Sequence, residues 1–155
     1  MIRSLALASA LLLAGCGTGE APEVTFTAGS TTVTARATQY CDLELTECAE
    51  DAAAPVQLAV PAGAPLLVEV PDGVSEAPWH VVFSYRNAGG EQVDARSPLF
   101  PAEERSEYTL ELPASGDRLL AAQVQQFGPA PRINEDTGEI EFPVRGSWVL
   151  TTTGT

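Results

Sequence analysis

The sequence predicts an all-β domain, either an antiparallel sandwich or a small barrel of eight or nine short strands. The first observation is that apolar and polar residues alternate with period two in short runs from Val24 onward. The second is that Gly, Pro, Asn and Asp separate these runs, and most prolines lie between them. No run has the spacing of a convincing amphipathic helix, so a helical domain is not expected.

The first half of the domain contains four predicted strands and one loop. Val24 and Phe26 alternate with threonines, and Gly29 then allows the chain to turn. The stretch 41–51 is acidic, contains Cys41 and Cys48, and is predicted to be a loop. A turn containing Gly63 separates the last two runs. The strands of this half are predicted over residues 24–27, 31–40, 56–60 and 66–70.

The second half contains the clearest hairpin and one ambiguous segment. Val81, Phe83 and Tyr85 lie on one side of a run that ends in Asn-Ala-Gly-Gly, residues that tolerate positive φ. Residues 118–127 begin with an apolar cluster that would also suit a helix, but the alternation at their end favours a strand. The strands of this half are predicted over residues 80–86, 91–96, 106–112, 118–127 and 144–152.

Length and charge exclude several classes of protein. The chain has 155 residues, which suits one domain. It contains 21 Asp and Glu against eight basic residues, all of them Arg, and has a formal net charge of −13. Such a charge repels phosphate, so no nucleic-acid partner is expected. A hydrophobic fraction of 45% is that of a globular domain and argues against a fully disordered chain.

The first fifteen residues are predicted to be a signal peptide. Arg3 precedes an apolar run over 5–14, which is too short to span a bilayer because a helix needs about 20 residues for that. The Leu-Ala-Gly at 13–15 and Cys16 resemble the bacterial lipobox, in which this cysteine becomes the lipidated first residue of the mature protein. The resemblance implies a membrane partner through covalent lipid such as palmitate. An ordinary secretory signal with an incidental cysteine is the alternative.

This interpretation divides the chain into a lipoprotein signal peptide at 1–15, a lipidated tether at 16–22 and a β domain at 23–155. The tether is short and polar, as expected of a flexible linker. Loss of the signal peptide removes Arg3 and leaves a mature charge of −14. We expect such a domain to be repelled by an anionic lipid surface and held at the end of its tether.

Export also bears on the other two cysteines. Cys41 and Cys48 are an even pair with six residues between them, and in an oxidising compartment we expect a disulfide. A bond that closes so short a loop would stabilise the fold by roughly 2.5 kcal/mol in the chain-entropy model. Zinc is the rival interpretation, but one cysteine pair and a distant His80 supply too few ligands.

Beyond the lipobox, several segments resemble a family of lipoproteins of unknown function from actinobacteria. The similar segments cover most of residues 24–150. They are Thr38-Gln39-Tyr40-Cys41-Asp42 with Cys48, then 74–79, 82–86, Arg96-Ser97, 124–128 and 145–150. The resemblance implies an anchored envelope domain with an antiparallel immunoglobulin-like β-sandwich of about eight strands. It carries over no catalytic or binding residue.

No catalytic residue, cofactor or metal site is predicted. His80 is the one histidine, and no nucleophile motif follows it, so neither triad catalysis nor blue copper is expected. The loop 134–141 offers several oxygens of the kind that calcium prefers, but a solvated hairpin around 136–138 explains the same residues. Glu103, Glu104 and Glu107 are interpreted as an exposed turn.

Two groups of residues are candidates for binding. The first is five aromatic residues that could line a pocket, although aromatics at alternating positions are more typical of a core. The second is a possible binding face, because unpaired amides are costly to bury. A solvated sheet face is its simpler alternative. The aromatic group is Trp79, Tyr85, Tyr108, Phe127 and Trp148, and the binding face is Gln123, Gln125, Gln126 and Phe127.

These observations lead to a functional hypothesis. We expect a lipid-anchored protein on the extracytoplasmic face of the cell membrane, a non-enzymatic binding or scaffolding module of the bacterial cell envelope. Its partner would be an envelope protein or a lipid. A carrier of a lipid or small hydrophobic ligand is the alternative, and a hydrolase that uses His80 ranks third. A filled core would favour the module, and a large open pocket would favour the carrier.

Overall fold

The computed structural model describes residues 19–153, which form thirteen strands and one short helix. The all-β prediction is confirmed. The signal peptide and Cys16 lie outside the described residues. The first strands are β1 (Val24–Ala28), β2 (Thr31–Ala35), β3 (Gln39–Cys41), β4 (Cys48–Glu50), β5 (Val56–Leu58) and β6 (Leu66–Glu69). After α1 (Asp72–Ser75) come β7 (Trp79–Arg86), β8 (Gln92–Arg96), β9 (Glu107–Leu110), β10 (Arg118–Phe127), β11 (Arg132–Ile133), β12 (Ile140–Glu141) and β13 (Val144–Thr152).

The first layer of the sandwich is a four-stranded antiparallel sheet in the order β2-β1-β6-β9. In β1, Val24, Phe26 and Ala28 are buried, and the two threonines between them are half-buried. This is the pattern of a strand that covers a core with one face. Period-two alternation therefore identified both the strand and its buried side.

The second layer is a larger sheet in the order β4-β3-β13-β10-β7-β8. These neighbours are antiparallel, and β5 adds a short parallel pairing to the end of β13, where Val56 lies opposite Leu150. Ala122, Val124 and Gln126 of β10 are buried and alternate with half-buried positions. The ambiguous segment 118–127 is thus a strand, as its alternation indicated.

The inner faces of the two sheets enclose one apolar core. The first sheet contributes Phe26 and Leu66, and the second contributes Trp79, Val124 and Trp148. Both tryptophans are completely buried, and each indole N–H donates to a backbone carbonyl: Trp79 Nε1 to Arg105 O at 3.1 Å and Trp148 Nε1 to Pro22 O at 2.7 Å. The core interpretation is therefore confirmed for both tryptophans.

The remaining aromatic candidates have different surroundings. Tyr85 is buried, and Tyr108 is half-buried against the core. Burial raises the pKa of Tyr108, and the nearby charge of Glu111 raises it further. Phe127 is half-buried and packs on His80 instead, with ring centroids 4.9 Å apart. The five aromatic residues do not line one pocket.

The chain has more strands than the eight or so expected, and the predicted strand over 31–40 was wrong as one element. Its first part, β2, belongs to the first sheet, and its last part, β3, belongs to the second. Thr38 fixes the crossing between the sheets, since its N–H donates to Ser147 O at 2.8 Å and its hydroxyl lies 2.7 Å from Ser147 Oγ. Alternation continues through such a crossing, so the sequence does not reveal it.

The stretch 41–51, predicted as a loop, contains β4, which pairs with β3 as a hairpin. Cys41 and Cys48 are directly opposite each other in this hairpin and form the expected disulfide. Arg36, just after β2, and Asp51, just after β4, form an ion pair at 2.8 Å. The predicted hairpin around 136–138 is confirmed, with Ile133 of β11 opposite Ile140 of β12.

Helical structure is limited to one turn in the part of the chain that the structure describes. This turn, α1, follows Pro71 and buries Val74 and Ser75. No helix within residues 19–153 is long and apolar enough to cross a membrane.

One glycine of β13 is required by close packing. A Cβ on Gly146 would lie 2.7 Å from Cη2 of Trp148 and 2.9 Å from Cδ2 of Tyr40. The Trp148 ring is completely buried and fixed by its hydrogen bond to Pro22, so it cannot move aside without disturbing the core. A side chain at position 146 would therefore force the two aromatic rings apart.

We predict that Gly146→Ala lowers the free energy of unfolding by about 1–3 kcal/mol, because overpacking a filled core displaces its side chains. Urea denaturation of the oxidised protein measures this loss. Gly19→Ala is the control, since its added methyl group meets no atom within 4 Å. Equal midpoints for both variants would contradict the close packing.

Candidate functional site

The outward side of the second sheet presents half-buried side chains from β7, β10 and β13 and exposed charged side chains from β8. Pairing places Val82, Gln123 and Val149 side by side, and Arg96 ends this row on β8. The next row holds Ser84 and Ala121 in the same way, with Asp94 on β8. We call this surface the outer face. It consists of Val82, Ser84, Asp94, Arg96, Ala121, Gln123 and Val149.

The outer face contains an open hollow of about 530 Å³. Val82, Ala121 and Val149 give it an apolar floor, while Arg96 and Asp94 provide opposite charges at one side. Sites for small ligands have volumes of this order and combine an apolar lining with a few polar groups. The hollow is therefore suited to an apolar group that carries a polar or charged end.

Three of the four residues of the predicted glutamine face share one side of β10. Gln123, Gln125 and Phe127 lie on the outward side of β10 and are half-buried. Gln126 points to the opposite side and is completely buried, so its inclusion in the binding face was wrong. Successive residues of a strand face opposite sides, and a run of adjacent amides cannot share one face.

Gln126 has a structural role instead. Its Nε2 donates to Gly73 O at 2.8 Å and to Val74 O at 3.0 Å, which are backbone carbonyls of α1. Its Oε1 is buried and has no hydrogen-bond partner within residues 19–153. The amide thus attaches the helical turn to the second sheet, at the position where β10 passes between Trp79 and Gly146.

His80 of β7 contacts β10 on the outward side of the sheet, where it lies opposite Gln125. It is only 8% exposed, and its Nε2–H donates to Gln125 Oε1 at 2.9 Å. Phe127 packs edge-on against its ring. His80, Gln125 and Phe127 therefore form a packed cluster on the outward side of the sheet.

A second hollow, of about 660 Å³, lies between the disulfide hairpin and the start of the described chain. Gly19 and Glu20 line it together with Cys48 and Arg145. The Arg145 guanidinium lies 4.7 Å from the Tyr40 ring centroid, and its Nε donates to Cys41 O at 3.0 Å. The N-terminal segment therefore lies against the disulfide hairpin.

Two titratable groups near this hollow have shifted pKa values. Burial raises the pKa of Tyr40, and the positive charge of Arg145 partly offsets that rise. The pKa of Asp42 is lowered from its ordinary value of 3.8, chiefly because the Thr46 hydroxyl donates to its carboxylate at 2.7 Å. A neighbouring backbone bond from Thr46 to the same carboxylate acts in the same direction. These bonds fix the turn between β3 and β4.

The acidic segments form turns. In the loop 134–141, Asn134 Oδ1 accepts the N–H groups of Asp136 and Thr137, and Asn134 Nδ2 donates to Glu141 at 2.7 Å. Glu103 and Glu104 border a third hollow beside α1. No group of three or more metal-binding side chains is arranged to hold an ion in residues 19–153.

Sequence reasoning missed most of the outer face. Val82, Val149 and Arg96 come from three different strands, and their proximity depends on the strand order β13-β10-β7-β8. Alternation could assign each of them to the outward side of its own strand. It gave no information on which strands are neighbours, and so it could not bring these residues together.

We predict that Gln126→Ala lowers the free energy of unfolding by about 1–3 kcal/mol, because the carbonyls of Gly73 and Val74 lose the side-chain donor that attaches α1 to the second sheet. Thermal or urea denaturation measures the loss. Gln123→Ala on the same strand is the control and should change stability by less than about 0.5 kcal/mol. Similar effects of the two substitutions would show that Gln126 does not attach α1 to the sheet.

The comparisons with known proteins place these features in one family model. The model described as "Protein of unknown function (DUF2771)" matches residues 18–153. No curated protein and no solved structure matches the chain. The match spans every strand and the helix, so the outer face and the disulfide hairpin belong to the family domain. The narrower immunoglobulin-like assignment stays a prediction.

Proposed function

The chain belongs to the DUF2771 family of proteins of unknown function, and we propose that it is a lipid-anchored module of the bacterial cell envelope that binds its partner through the outer face. The mature protein would begin at Cys16, carry its acyl chains there and be exposed on the extracytoplasmic side of the membrane. The resemblance to actinobacterial lipoproteins forms part of this proposal.

Support for export and anchoring comes from the first sixteen residues and from the disulfide. The basic start, the short apolar run and the lipobox-like residues before Cys16 have the order of a lipoprotein signal. The disulfide between Cys41 and Cys48 suits an oxidising compartment outside the cytoplasm. Two acyl chains hold a protein stably at a membrane, whereas one chain is marginal.

The hollow of the outer face is the observation that carries the binding role. It brings together apolar side chains of three strands and an exposed charged pair on β8. Apolar surface surrounded by polar groups is typical of a site for a protein or small ligand. The site lies on a rigid sheet, so its geometry is fixed before the partner arrives.

A carrier of a small hydrophobic molecule receives less support. The space between the two sheets is occupied by large buried side chains, among them Trp79, Trp148 and Phe26. A lipid carrier would need an apolar space between the sheets, and the hollow on the outer face is open to solvent. We therefore favour recognition of a partner at the surface over enclosure of a ligand.

The packed surroundings of His80 favour a role without catalysis. Its Nε2–H is bonded to an amide and one side of its ring is covered by Phe127. A general base needs a nucleophile within hydrogen-bond reach that it can deprotonate, and the polar contact of this ring is with an amide. His80 of this cluster is better suited to holding β7 and β10 together.

We predict that Cys16→Ser moves the protein from the membrane fraction to the medium, because the substituted chain cannot receive lipid. Cell fractionation followed by mass spectrometry of the N-terminus measures both location and processing. Thr18→Ser is the control and should leave the protein acylated at Cys16 and in the membrane. A Cys16→Ser chain that is cleaved after residue 15 and still membrane-bound would contradict the anchor.

We also predict that a photo-crosslinking side chain at Gln123 forms one discrete product in intact cells, because this position lies on the outer face. The same probe at Ala88, in the exposed turn between β7 and β8, is the control. Adding Val149→Arg to the Gln123 probe should remove the product, since a large charged side chain would occupy the hollow.

Two results would contradict the binding role of the outer face. The first is a set of products that is identical at Gln123 and Ala88. The second is a crosslinked product that survives Val149→Arg unchanged. A small hydrophobic molecule found by native mass spectrometry in protein purified from its own host would instead support the carrier.

A further inference from the structure

The β11–β12 hairpin has one apolar face that is exposed. Ile133 and Ile140 are directly opposite each other, so their side chains lie on the same face, and the exposed Phe142 comes just after β12. The exposed fractions of these side chains are 71%, 68% and 59%. We call these three residues the apolar hairpin face. Arg132 and Glu141 are the other pair of opposed residues in this hairpin, and their charged side chains lie on the opposite face.

All five exposed large apolar residues of the described chain lie toward one end of the sandwich. Besides the apolar hairpin face they are Leu43, in the turn of the disulfide hairpin, and Leu99. Leu99 is next to Phe100, which pairs with Trp79, and Trp79 lies opposite Gln126 near the end of β10. The turns at the other end, around Gly29, Gly63 and Gly90, have no large exposed apolar residue.

The described chain begins at this same end. Pro22 is fixed by the hydrogen bond of its carbonyl oxygen to Trp148 Nε1. Gly19 lines the same hollow as Arg145, which is three residues from Phe142. The hairpin also contacts the disulfide hairpin directly, because Arg132 Nη2 donates to Glu44 O at 3.3 Å.

Chain length limits the distance between the lipid and this end. Cys16 precedes Gly19 by three residues, and three residues span at most about 10 Å. Phe142 is within about the same reach of Arg145. If Cys16 carries acyl chains in the bilayer, the end of the sandwich that contains the apolar hairpin face must lie close to the lipid headgroups.

We propose that the apolar hairpin face rests on the surface of the phospholipid bilayer and so fixes the orientation of the domain. This inference depends on the lipid anchor of the proposed function. A two-stranded hairpin has little stability of its own, and burial of its apolar face in the interface stabilises it. The anchor keeps the face next to the membrane, so a small apolar area is enough for contact.

The distribution of charge determines how the hairpin lies. Glu135 and Asp136 occupy its tip, and Glu141 is on the face opposite Ile140. Carboxylates do not enter the hydrocarbon region, so the hairpin lies along the surface with its tip in the headgroup region. Zwitterionic lipid is the favoured surface, because the acidic domain is repelled by anionic lipid.

Tryptophan quenching by lipid tests the contact. Full-length Phe142→Trp is purified with its lipid, reconstituted into phosphatidylcholine vesicles with bromine near the headgroup end of the acyl chains, and isolated by flotation. We expect the added emission to shift to the blue and to lose roughly half its intensity. Apolar faces at the interface are buried about 5–10 Å into the boundary between headgroups and acyl chains, which is within reach of the bromine. The wild type provides the background of the buried Trp79 and Trp148.

Ala88→Trp is the matched control, because Ala88 is exposed in a turn at the opposite end. Its added emission should be unchanged by brominated lipid. Adding Ile133→Ser and Ile140→Ser to Phe142→Trp should abolish the quenching while flotation persists.

Two results would overturn the inference, and they can be told apart. Acylated protein that floats with the vesicles but shows equal emission from Trp at 142 and at 88 would leave the anchor intact and place the hairpin off the membrane, available to a protein partner. A chain that does not float, with Cys16 unmodified, would remove the lipid anchor and the bilayer contact together.

Discussion

The position of the N-terminal segment depends on the hydrogen bond from Trp148 Nε1 to Pro22 O. The indole is completely buried, so its N–H must find a partner in the protein. Pro22 lies beside Gly73, and the Gly73 carbonyl accepts a bond from Gln126. Gln126 is opposite Gly146, which is in turn covered by the Trp148 ring. These contacts form a closed cycle that fixes the origin of the tether relative to both sheets.

The same alternation that builds the core also creates the outer face. On β10, Val124 and Gln126 point inward, while Gln123 and Gln125 point outward. Gln125 holds His80 on the neighbouring strand, and Gln123 borders the hollow. Gln126, on the inward side, therefore acts in stability through its bonds to α1, whereas Gln123, on the outward side, acts in the proposed recognition. The backbone geometry of the strand, rather than the side-chain type, separates these roles.

Much of the fold could be predicted from the sequence, because alternation and turn residues are local signals. They identified β1, β10 and β13 and the hairpin at 136–138. Once Cys16 is assigned to lipid, the pair Cys41 and Cys48 that is left identified the disulfide. The crossing at Thr38 and the hydrogen bond of Gln126 to α1 could not be predicted, since both depend on distant residues, Ser147 and Gly73. The outer face could not be predicted either, because its prediction requires the order of strands in the sheet.

The direction of β10 bears on which partner the outer face suits. This strand begins at Arg118, at the end of the sandwich away from the tether, and ends at Phe127, which pairs with Val144 near the tether. Gln123 precedes Phe127 by four residues, which places the hollow about 13 Å along the strand from that end. Under the proposed anchoring, the hollow would stand clear of the hydrocarbon core. A lipid would have to withdraw its chains from the bilayer to reach it, whereas a polar envelope protein would not. The hollow is therefore better suited to a protein partner than to a membrane lipid.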